Sequence, residues 1–159
     1  MGKLENYLKI LFLILFFSVF AYFSSYAEKG KKTQKEKISV EKVFEIFKRG
    51  ECFFVDARSV EEFKNGHIEG AINIPYHSDK KDLYISKAVD FLNGAKFVVV
   101  YCDGSGCGLS KLLAKDLINA GVDKKKIVVF TEGYEIWLKK GYPVSKDLSF
   151  QKALFSFQD

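Results

Sequence analysis

The apolar positions of this chain fall into short unbroken runs separated by amphipathic stretches. The runs are CFFVDAR at 52–58, AINIP at 71–75, KFVVVYC at 96–102 and KIVVF at 126–130. Short runs rich in β-branched and aromatic side chains, with no polar alternation, predict strands buried on both faces. Between them the period changes. Val40, Val43, Phe44 and Phe47 recur at helical spacing within 38–51, where Gly50 ends the element. The stretch SVEEFKNGHIEG predicts a helical turn stopped at Gly66 and then a loop. Leu83, Ala88, Val89 and Leu92 predict a helix over 78–92, and Leu113, Leu117 and Ala120 one over 109–121, capped by Gly121. A short helix over 132–141 ends at Gly141, and the closing segment holds one more. Apolar strands alternating with helices predict an α/β fold: an open parallel sheet flanked by helices on both faces. In such sheets chemistry gathers beyond the carboxyl ends of the strands. The polar residues placed there are Asp56 and Arg58, Cys102 with its loop, and Thr131 with Glu132.

The N-terminus follows a different pattern. Lys3 and Lys9 precede an uncharged, almost wholly apolar run at 10–23, and Ser25-Tyr26-Ala27 is a small-x-small site. This describes a secretory signal peptide, with cleavage expected after Ala27. Counted over 7–27, the segment just reaches the length of a membrane anchor. Either way the rest of the chain is expected outside the cytoplasm, periplasmic or otherwise extracytoplasmic. Residues 28–37 carry five lysines and two glutamates without an apolar residue, a solvated basic linker. The expected organisation is therefore 1–27 leader or tether, 28–37 linker, 38–147 folded domain and 148–159 tail.

Composition narrows the function. Hydrophobic residues make up 48% of the chain, enough for one sizeable core. The net charge of +5 is mild, and no basic face interleaved with aromatics is present, so a nucleic-acid partner is not expected. Of three cysteines, Cys52 opens an apolar run and is expected to be buried and inert. Cys102 and Cys107 bracket a glycine-rich loop between the best strand signal and a helix, in VVVYCDGSGCGLSK at 98–111. A loop entering a helix N-terminus offers backbone N–H groups to an anion or a thiolate. Gly104, Gly106 and Gly108 can take the positive φ needed to aim amides inward, and Ser105 and Ser110 add hydroxyls. Local sequence alone leaves open whether Cys102 is a nucleophile or an inert strand cap.

FFVDAR, EEFKNGHIEGAINIP, VVVYC with its loop and helix, and FTEGYEIWLKKGYPV occur in that order. Together they resemble the rhodanese (sulfurtransferase) family over roughly 38–145. The resemblance implies a five-stranded parallel sheet between helices. It implies that Cys102 is the catalytic cysteine, accepting a sulfane sulfur as a persulfide that the loop stabilises. His67 would have a structural hydrogen-bonding role. No cofactor is implied; the partners would be a small sulfur-containing anion and a protein or low-molecular-weight thiol.

The chain departs from the family pattern in places. Asp103 stands where a basic residue is frequent, and the loop is about two residues longer than is common. Glu132 occupies one place of a frequent glycine pair. Rhodanese-related phosphatases and arsenate reductases carry arginine six residues after the cysteine; here that position is Gly108. Asp56 and Arg58 are expected to form an ion pair near the site. Cys107 is either a resolving thiol that closes a reversible disulfide with Cys102 or a small filler at the helix start. A metal site would need Cys102, Cys107, His67 and His77 to converge, and C-x4-C alone is not a zinc pattern. The competing functional class is a non-catalytic rhodanese-like module that binds a partner or senses redox state through Cys102 and Cys107.

Overall fold

The structure is a computed structural model that describes residues 11, 13–19 and 37–155. Most of the leader and linker, including the Ser25-Tyr26-Ala27 site, lies outside the described residues. So do residues 156–159 of the tail. Residues 11 and 13–19 are helical, and their apolar side chains are exposed. Among the described residues no helix is long and apolar enough to cross a membrane.

The second compact unit, from Lys37 onward, carries the fold. Its elements are α1 (Val40–Lys48), β1 (Cys52–Asp56), α2 (Val60–Asn65), β2 (His67–Ile68), β3 (Ile72–Asn73), α3 (Lys81–Asn93), β4 (Phe97–Tyr101), α4 (Leu109–Asn119), β5 (Ile127–Phe130), α5 (Gly133–Lys139), β6 (Val144–Ser145) and α6 (Ser149–Phe155). Four strands form a parallel sheet in the order β3-β1-β4-β5. These are the four apolar runs of the sequence. The fifth strand implied by the family resemblance is not part of the sheet among the described residues. Instead β2 pairs antiparallel with β6, His67 opposite Ser145 and Ile68 opposite Val144, as a separate two-stranded ladder.

Side-chain alternation along the central strands sorts the core into two layers. Phe54, Val99 and Tyr101 face α1, α2 and α5, packing with Val43, Phe63 and Trp137. Val55, Val98, Val100 and Cys102 face α3 and α4, packing with Ala88, Leu92, Leu113 and Leu117. Trp137 is fully buried, meets Phe44, Phe47 and Phe54 edge-on, and donates its indole N–H to Pro143 O at 2.9 Å. The free side of β3 is covered by α6. Asn73 N donates to Gln151 Oε1 at 2.7 Å, and Gln151 Nε2 donates to Asn73 O at 3.0 Å. One glutamine amide thus takes the place of a neighbouring strand, covering a backbone edge that would otherwise be open for pairing.

Candidate active site around Cys102

Register fixes where the chemistry can sit. Asp56 pairs with Tyr101, and Ala57 N donates to Tyr101 O at 2.9 Å, so β1 and β4 end at one level. Cys102 is the next residue, and alternation turns its side chain towards α4. It is fully buried. Its Sγ lies 3.5 Å from Cys107 O and 3.6 Å from Ser110 Oγ. Ser110 is buried in the first turn of α4, whose N-terminus at Gly108 has no side-chain cap.

Burial pushes the Cys102 thiol up to about 11, and the neighbouring Cys107 side chain adds to the rise. The backbone N–H and hydroxyl of Ser110 pull the other way. The cradle is thus narrower than the sequence suggests. Ser110 supplies the donors, while the residue at 107 presents a carbonyl oxygen and a second thiol.

The loop glycines do not use the freedom that glycine allows. Positive φ occurs at Gly50, Gly66, Gly70, Gly121, Gly133 and Gly141, and at none of Gly104, Gly106 and Gly108. The loop closes instead through an ordinary turn, Cys107 N donating to Gly104 O at 2.9 Å. A Cβ would meet nothing within 4 Å at Gly106 or Gly108, and at Gly104 would meet the Glu135 carboxylate at 2.8 Å. Asp103 and Ser105 are exposed, and Cys107 is half-buried.

The left-handed residue the site depends on is Gly133, with φ +66°. A Cβ there would stand 2.5 Å from Asp103 O and closer still to Cys102 O. This close approach lets Tyr134 N donate to Cys102 O and Glu135 N to Asp103 O, both at 2.8 Å. The start of α5 therefore clamps the cysteine peptide from below. Glu132, just before it, accepts from Val40 N at 2.8 Å, anchoring the turn to the start of α1. The sequence pattern places Glu132 at the sheet edge and gives no role to Gly133, for which the Glu-Gly pair directly after a strand is the available signal.

Asp56 and Arg58 are both buried and form a forked ion pair: Arg58 Nε lies 3.1 Å from each carboxylate oxygen and Nη2 lies 2.6 Å from Oδ2. Arg58 Nη2 also donates to Gly66 O at 2.8 Å, and the guanidinium lies 4.0 Å from the Tyr134 ring centroid. Burial pushes the Asp56 carboxyl up, opposed by Arg58. Burial also lowers Arg58, but the Asp56 carboxylate outweighs it and holds the guanidinium above its ordinary value. Asn73 donates to both Asp56 O at 3.0 Å and Arg58 O at 2.9 Å, locking the loop after β1. Arg58 N also donates to Asp56 Oδ1 at 2.9 Å, so the pair ties the loop after β1 to the end of α2 at Gly66. His67 Nδ1 donates to Phe63 O at 2.8 Å while its ring stacks on Phe63. Cys52 begins β1 at the opposite end of the sheet, and burial pushes its thiol up to about 11. Among the described residues no group of three or more His, Cys, Asp or Glu side chains could hold a metal ion.

Comparison with known proteins matches this architecture. The model of the rhodanese-like domain matches residues 39–140. The chain belongs to the rhodanese-like domain family. Over 97 residues it is 34% identical to thiosulfate sulfurtransferase 16, chloroplastic, of Arabidopsis thaliana, covering 57% of this chain and 77% of that one. A solved structure of a Bacillus halodurans protein superposes with a TM-score of 0.58 at 24% identity, covering 85% of this chain and 93% of that one. The As-Sb reductase from Leishmania major superposes at 0.54 with 20% identity, over 64% of this chain and 75% of that one. These two likenesses speak for the fold alone. The rhodanese-like domain of this chain thus has a sulfurtransferase among its relatives and carries a cysteine at the carboxyl end of its central strand.

Proposed function

We propose that this rhodanese-like domain transfers sulfane sulfur, with Cys102 as the nucleophile. The observation that carries the reading is the placement of Cys102 Sγ: at the end of the central strand, against the first turn of α4, with the Ser110 N–H and hydroxyl beside it. In thiolate form Sγ attacks the outer sulfur of a sulfane donor. A new S–S bond forms at Cys102, the donor's S–S bond breaks, and its electron pair leaves with the shortened donor. An acceptor thiolate then attacks the terminal sulfur and takes it, returning Cys102 as thiolate. This is covalent catalysis in two steps. Ser110 stabilises the negative sulfur in both.

The surroundings favour some donors over others. No lysine or arginine lies within 103–108, and Asp103 is exposed on the loop. That arrangement offers no cation to the sulfonate oxygens of thiosulfate and suits donors without such a group, a polysulfide or a protein persulfide. Incubation of the full chain with each donor, followed by intact mass measurement, tests the reading. Polysulfide is expected to add one sulfur atom to wild type and Cys52→Ala but none to Cys102→Ala. No adduct with either donor would remove the transferase reading.

A further inference from the structure

Cys107 is the one loop side chain in contact with the reacting sulfur that has chemistry of its own. Its carbonyl oxygen accepts from Cys102 Sγ at 3.5 Å, and its side chain is near enough to push the Cys102 thiol up. Both residues pack against the same core layer, and both are free thiols. The turn from Gly104 to Cys107 folds the second cysteine back over the first. Cys52 cannot substitute. It pairs with Phe97, five residues before Cys102, which is about 16 Å along the strand.

We propose that Cys107 resolves the Cys102 persulfide, releasing hydrosulfide and closing a Cys102–Cys107 disulfide. The proposal rests on the reading that Cys102 carries a persulfide. The Cys107 sulfur attacks Sγ of Cys102, the inner sulfur. The Sγ–Sγ bond forms, the bond from Sγ to the outer sulfur breaks, and the electron pair leaves on the outer sulfur with the Cys107 proton as HS⁻. The sulfane sulfur is reduced by two electrons and the two cysteines are oxidised by two, so no outside oxidant enters. A dithiol reductant then attacks the disulfide, restores both thiols and leaves as its own disulfide.

Two features favour this course over passage of the sulfur to Cys107. Attack on the outer sulfur would expel the Cys102 thiolate, the base of a thiol held at about 11. Attack on the inner sulfur expels the anion of a much stronger acid, and lower-pKa sulfur leaves faster. Cys107 also lies beside Cys102 in the same core layer, so the persulfide meets it before any thiol from solution. Half-buried Cys107 is then the sulfur open to the reductant. The site thereby becomes a device that reduces sulfane sulfur to sulfide at the expense of a dithiol.

The test uses the full chain, wild type and Cys107→Ser, reduced and freed of small thiols. Each is loaded with inorganic polysulfide, desalted, and followed for sulfide release and peptide mass. Lys96 and Lys111 place both cysteines in one tryptic peptide, 97–111. Wild type is expected to release one sulfide per chain, at least about a hundredfold faster than Cys107→Ser, as expected for an intramolecular attack. Its peptide becomes two hydrogens lighter than the dithiol. Cys107→Ser is expected to load equally and hold its extra sulfur until a dithiol is added. Equal release from both chains, or a sulfur retained on Cys107, overturns the resolving role while leaving Cys102 transfer intact. Failure of Cys107→Ser to load at all overturns the transferase reading, and this proposal with it.

Discussion

At the scale of the residue, Cys102 combines the position of a nucleophile with the acidity of a poor one. Burial and the Cys107 thiol raise it to about 11, so at neutral pH it rests protonated. Only the thiolate attacks. Its fraction grows tenfold per pH unit until the folded value is reached, so sulfane loading at low polysulfide should rise about a hundredfold from pH 7 to 9 and keep rising to pH 10. A stopped-flow pH profile checks this; a plateau near pH 9 would mean an ordinary thiol. The cysteine itself was legible because an apolar run delivers it to a glycine-rich loop. Its environment was not, because burial and the approach of Ser110 and Cys107 depend on how tightly α4 closes over the strand. Asn73 was equally hidden. It looks like one polar residue in an apolar run, and its role of bridging Asp56 O and Arg58 O exists only once β1 and β3 are in register.

At the scale of the element, the loop and α5 exchange the roles that composition suggests. Three glycines crowd the loop, yet none is left-handed there, whereas Gly133 is. Conformation follows what packs against the backbone rather than which residues allow freedom. Gly133→Ala should therefore disrupt the clamp on the Cys102 and Asp103 carbonyls, costing more than about 1 kcal/mol of stability and most of the sulfur loading. Gly106→Ala, at a position with open space and negative φ, should leave loading unchanged and gain up to about 1 kcal/mol by restricting the unfolded chain. Urea titration and loading of both variants decide the matter; equal effects would show that the loop, and not α5, sets the geometry. The strands were legible because burial on both faces leaves continuous apolar runs. The β2–β6 ladder was not, since two-residue strands leave no periodicity to read.

At the scale of the whole molecule, the parallel sheet needs both faces and its β3 edge covered. Gln151 closes that edge by pairing with both backbone groups of Asn73. Gln151→Ala should lower stability by about 1–2 kcal/mol, from two lost hydrogen bonds at a partly buried site. It should also promote concentration-dependent association through the freed strand. Denaturant midpoints and light scattering measure the two effects, and an unchanged midpoint would mean that water replaces the glutamine at no cost. The clamp by α5 has an equally global consequence, in the order of synthesis. Residue 102 leaves the ribosome well before residue 133, and until α5 docks its peptide is unheld and its sulfur uncovered. Over that interval the thiol has the acidity of a free cysteine, about 8.5. The growing chain thus carries a more reactive sulfur than the finished domain, and an electrophile present at the ribosome would modify Cys102 before the fold can shield it.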